Sequence, residues 1–126
     1  MARWAILAIG VSVALSGCGG DDGPSAPSPP ANPYTIRISP AGIVTPQEIV
    51  VPPGTRVLFV NEHTRRHDMT SDPHPDHGDC PAINSVGLLN PGQSKETGNL
   101  VAVNSCGYHD HEDFQNANLQ GRIVIR

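Results

Sequence analysis

Apolar side chains in this sequence come in short runs, each cut off by proline, glycine or asparagine, and that punctuation limits what the chain can fold into. Ile49-Val50-Val51 stops at Pro52-Pro53-Gly54-Thr55, and Val86-Gly87-Leu88-Leu89 stops at Asn90-Pro91-Gly92. Tyr34, Ile36 and Ile38 alternate with Thr35, Arg37 and Ser39, the pattern of a half-buried strand. Val57-Leu58-Phe59-Val60 is continuous and suits a central strand covered on both faces. Leu100–Val103 and Arg122–Ile125 complete the apolar segments. No stretch keeps a 3.6-residue period, and Gly and Pro number 13 each among 126 residues, which excludes a long-helix or coiled-coil protein. Residues 34–126 therefore read as one all-β domain, a sandwich or barrel. The formal net charge of −4 argues against nucleic-acid binding, which needs a basic face.

Residues 1–33 read apart from that domain. Arg3 is a minimal positive start, and Trp4–Leu15 is an apolar run shorter than the ~20 residues of a membrane-spanning helix. Such a run suits a signal-peptide core. Leu15-Ser16-Gly17-Cys18 resembles a bacterial lipobox. That resemblance implies a signal peptide over 1–17 and lipidation of Cys18, with several acyl chains giving a stable anchor. Removing 1–17 takes away Arg3 alone among the charges, so the mature chain is more acidic still. Residues 19–33 are rich in Pro, Gly, Ser and Asp and hold no large apolar side chain, so 18–33 is expected to be a disordered tether. The expected location is the cell envelope, on a membrane facing the periplasm or the outside. The expected partners are that membrane and redox proteins, with the chain itself a monomer.

The strongest chemical signal is where histidine and cysteine fall. All 6 histidines lie between His63 and His111, as do Cys80 and Cys106. Loops at one end of a β scaffold that carry imidazole and thiol donors can converge on a metal.

Three segments resemble cupredoxins of the plastocyanin/azurin type. Ile49–Asn61 followed by His67 resembles their first ligand strand, Cys106-Gly107-Tyr108-His109 their Cys-x-x-His pair, and Leu119–Ile125 their terminal strand, usually Met-x-Gly-x-Val. The resemblance spans essentially all of 34–126. It implies a Greek-key β-sandwich and a copper site in which His67 and His109 supply imidazoles and Cys106 the thiolate. The implied role is electron transfer by a membrane-tethered copper protein.

Other donors remain open. The position of the family's axial Met is Leu119, which cannot ligate, and the only Met after processing is Met69. His111 and Glu112 lie in a loop longer than the family's, and His74 and His77 in a donor-rich insert over 71–80. Asp110 or Glu112 would be able to orient an imidazole from behind. Cys80 and Cys106 form an even pair in an oxidising compartment, so a disulfide is the alternative to a thiolate ligand. Copper would then sit on histidines alone, in a binding or buffering protein with no redox relay. No Gly-x-Ser-x-Gly, His-Glu-x-x-His or phosphate loop is present, so an enzyme is not expected.

Overall fold

A computed structural model of the chain describes residues 31–126. The expected signal peptide, Cys18 and most of the tether lie outside the described residues. Two mixed sheets face each other. One holds β1 (Thr35–Ile38), β2 (Val44–Thr45), β4 (Leu58–Asn61) and β7 (Ser94–Glu96) in the order β2-β1-β4-β7. The other holds β3 (Glu48–Val51), β5 (His67–Ser71), β6 (Gly87–Leu89), β8 (Asn104–Asp110) and β9 (Gly121–Ile125) in the order β3-β9-β8-β5-β6. Short 3₁₀ turns at Pro81–Ser85, His111–Asp113 and Ala117–Leu119 are the helical segments among the described residues. The all-β sandwich read from the sequence is the fold observed.

The alternation that marked β1 places Ile36 and Ile38 in the core and Arg37 in solvent. The run 57–60 forms β4, central in its sheet as expected. Phe59 is fully buried, whereas Leu58 and Val60 are only half-buried, so one face is covered rather than both. The inner faces meet where Phe59 of β4 sets its ring edge-on to Tyr108 of β8, centroids 5.1 Å apart. Met69, Ile123, Ile125, Val51 and Leu89 are buried in the same core.

Two expectations need correction. Leu100–Val103 forms no strand. Leu100 makes a single bridge to Thr55 and is buried, while Val101 and Val103 stand in solvent. Conversely, the histidine-bearing segments read as loops contain β5 and β8. Their polar side chains hid the strand signal, because β5 runs His-Asp-Met-Thr-Ser and β8 Asn-Ser-Cys-Gly-Tyr-His-Asp. Pairing with apolar neighbours, not intrinsic preference, makes them strands.

Candidate metal centre

β8 and β5 run antiparallel, with Thr70 opposite His109 and Ser71 opposite Tyr108. Side chains alternate faces along a strand. Cys106, Tyr108 and Asp110 point into the sandwich, so His109 points to the outer face of the five-stranded sheet. His111, just past the strand end, joins it there, and the segment after β5 folds back over the same face. Asp72 lies over Gly107, its N–H donating to the Gly107 carbonyl at 3.0 Å. The chain then delivers His74 and His77. One ring nitrogen from each of His74, His77, His109 and His111 falls within 4.8 Å of the others. His109 is buried, His74 and His77 are half-buried, and His111 is exposed.

The hydrogen bonds fix which nitrogens face the centre. His109 Nδ1 donates to Asp72 Oδ1 at 2.6 Å, which leaves its Nε2 a lone pair with only the Thr70 hydroxyl near it, at a long 3.5 Å. His77 Nδ1 donates to the Ser71 carbonyl at 2.9 Å, since a carbonyl can only accept. His77 Nε2 is then an acceptor lone pair, and it lies 2.9 Å from His111 Nδ1. His77 also adopts φ of 53°, unusual for a residue with a side chain. Its N–H bonds to the Pro73 carbonyl at 2.7 Å and helps hold that conformation, which costs on the order of 1–3 kcal/mol. His74 stacks face to face on Phe114, centroids 4.0 Å apart and planes 3° from parallel. Its Nδ1 is buried without a hydrogen-bond partner. Burial, and then the neighbouring imidazoles of His111, His109 and His77, lower the His74 pKa.

The expected His67–Cys106–His109 triad does not converge. Cys106 is bonded to Cys80, with Cα atoms 5.8 Å apart, so it offers no thiolate. Parity alone would separate the triad, because positions 106 and 109 of one continuous strand face opposite sides of the sheet. His67 faces inward with Asp110, to which its Nδ1 donates at 2.7 Å. Its Nε2 accepts from His63 Nδ1 at 2.9 Å. The ring centroids stand 5.1 Å apart with planes 21° from parallel, the edge-to-edge arrangement of an imidazole hydrogen bond. His63 is thus tied to a buried Asp–His pair. Asp110 Oδ1 accepts from the N–H groups of Asp68 and Glu112, so the carboxylate pins the strand end between His109 and His111.

Of the other residues singled out, Glu112 pairs with Arg66 at 2.6 Å and stands outside the cluster. Leu119 is buried in the apolar core and carries no donor. Met69 is buried there too. The sequence reading missed Asp72 as the partner of a ligand imidazole. Its only signal was membership of the donor-rich segment. The Ser71 carbonyl, a backbone group, had no signal at all.

No protein-family model matches the chain, and no curated protein matches it in sequence. Solved structures do. A purple cupredoxin from Nitrosopumilus maritimus is 19% identical with a TM-score of 0.57, over 74% of this chain and 99% of that one. Oxidised plastocyanin from Dryopteris crassirhizoma is 17% identical with a TM-score of 0.56, over 73% and 99%. A reduced amicyanin variant is 12% identical with a TM-score of 0.61, over 79% and 87%. Strand order, inner-face packing and these likenesses agree, and the described domain has the cupredoxin fold.

Proposed function

We propose that this protein binds copper through the imidazoles of His74, His77, His109 and His111. The observation that carries the reading is the convergence of four ring nitrogens, two of them on rings fixed by a partner at Nδ1, in a cluster whose His74 also has Nδ1 buried without a partner. A metal would satisfy that orphan. With metal–nitrogen bonds of about 2.0 Å, donors on opposite sides of one ion lie about 4 Å apart, so the 4.8 Å span closes with small side-chain shifts. Imidazole suits copper, zinc and nickel, and among divalent ions copper binds such a site tightest. The carboxylate–imidazole–metal arrangement at Asp72–His109 would fix the ring and raise its basicity. Among the structural neighbours, amicyanin in a Cu(I) form and a copper-containing nitrite reductase from Thermus scotoductus support copper as the cargo.

The all-nitrogen donor set favours a copper binder or buffer. Bound copper would supply a one-electron couple, and electron transfer is the second reading. It is favoured by the hydrogen bonds that hold two of the rings in place and by neighbours recorded in oxidised and reduced forms. An enzyme is the less supported role. The nitrite reductase is matched over only 22% of its own length. The lipobox-like Cys18 supports attachment to an envelope membrane, and the Cys80–Cys106 bond fits an oxidising compartment there.

Copper titration tests the proposal. One Cu(II) per chain, with weak colour, nitrogen hyperfine structure in the paramagnetic spectrum and loss on His109→Ala with His77→Ala, is expected. An intense thiolate charge-transfer band, or unchanged binding in that double variant, would refute the all-imidazole site. Reversible one-electron reduction of the loaded protein separates relay from buffer.

A further inference from the structure

We propose that the end of the sandwich opposite the histidines rests on the lipid bilayer, with Val101 and Val103 as the inserting residues. This rests on the reading of Cys18 as a lipid anchor.

The pairing pattern defines the two ends. Thr35 lies beside Leu58, and Asn104 beside Ile125. The Leu58 N–H donates to the Tyr34 carbonyl, and Asn32 Nδ2 donates to the Arg56 carbonyl at 3.1 Å. Thr55 bridges Leu100, and the Arg126 N–H donates to the Val51 carbonyl. The chain that arrives from the N-terminal segment therefore enters at the same end as the 100–104 loop. β8 runs away from this end, and its 104–110 span at about 3.3 Å per residue carries His109 and His111 about 20 Å off.

The loop is built as a wedge. Leu100 is 2% exposed and roots it in the core, while Val101 and Val103 are 68% and 74% exposed. These are the two most exposed large apolar side chains among the described residues. A shallow hollow of about 170 Å³ beside them is lined by apolar Ala82, Leu100 and Ile125 and, at its rim, by polar Asp79, Asn99 and Asn104. Arg56 and Arg126 are exposed at this end against Glu96 and Asp79. Those two cations offset those two carboxylates, so this end carries no net negative charge against a headgroup layer, whereas Asp68, Asp72, Asp76, Glu112 and Asp113 outnumber Arg65 and Arg66 toward the far end. Two valines would bind a bilayer weakly on their own. A domain held at a tether's length from the membrane meets it at high effective concentration, so a weak contact suffices. The consequence is orientation: the histidine cluster, on the outer face of the five-stranded sheet near its far end, is held off the membrane surface and stays open to incoming copper or a partner.

The test uses the full lipidated chain in vesicles containing an anionic lipid and a brominated phosphatidylcholine. Trp4 precedes Cys18 and is lost on processing, so Val101→Trp or Thr64→Trp gives a single emitter. The Val101→Trp emission should shift to the blue and be quenched by brominated lipid, while Thr64→Trp, in the turn before His67, should stay solvent-like. Equal, weak quenching of both in protein that floats with the vesicles would overturn the docking and leave the anchor standing. Protein that fails to float would overturn the anchor. Excess vesicles added to that unanchored Val101→Trp chain would then decide the docking by the same quenching, present or absent.

Discussion

The Cys80–Cys106 bond joins the two segments that carry the four histidines: His74 and His77 lie just before Cys80, and His109 and His111 just after Cys106. Replacing both cysteines with serine removes the staple and leaves every proposed ligand in place. The bond spans a sequence separation of 26, and the chain-entropy estimate for a loop of that length is about 3.5 kcal/mol at 25 °C. Urea unfolding of Cys80→Ser/Cys106→Ser should therefore lose about that much stability. Metal affinity should fall as well, because the 72–79 segment must then be ordered by the metal itself. If less than half of the lost constraint is repaid on binding, about 1.4 kcal/mol, affinity drops about tenfold. Competition titration against a chelator, with unfolding curves on the same samples, reads both effects. Affinity within twofold of the parent, alongside lost stability, would refute the claim that the bond prepares the site. A stability loss under about 1 kcal/mol would refute the entropic argument itself.

Asp72→Asn keeps the size but weakens the hold on His109 Nδ1. Copper affinity should fall about 10- to 100-fold, measured by the same titration, with stability little changed. Gly107→Ala should act on the same contact, since an added methyl would run into the Asp72 carboxylate, so an unaltered affinity there would count against Asp72 as the orienting group. The His74 pKa is lowered in the folded chain, so the unfolded chain binds the extra proton first as pH falls. The metal-free domain should thus lose stability as pH drops through about 6.5, and His74→Phe should flatten that part of a stability–pH profile. The Tyr108 hydroxyl is buried without a partner, and burial pushes its pKa well above the ordinary tyrosine value. Tyr108→Phe should be neutral or stabilising by up to about 1–2 kcal/mol in urea melts, and a clear loss would mean the hydroxyl has a partner after all.

Much of this protein can be read from its residues in order. Runs such as Ile36–Ile38 and Val57–Val60 carry their burial in their chemistry, so the sandwich follows from alternation and from Pro/Gly breaks. The crowding of histidine between 63 and 111 likewise marks where a metal would go, and His74, His77, His109 and His111 were all among the residues that pattern singled out. Which donors meet was a different matter. The Cys-x-x-His pattern implies a shared site only if the chain turns between the two residues. Here β8 runs straight through to Asp110, so Cys106 turns inward to Cys80 while His109 turns outward. Nothing local decides that. The strand is held by its pairing with β5 and β9, and its own polar residues would not predict it. Donor identity is therefore written in the sequence, whereas donor partnership is set by strand parity and by long-range pairing, which only the folded arrangement of the two sheets determines.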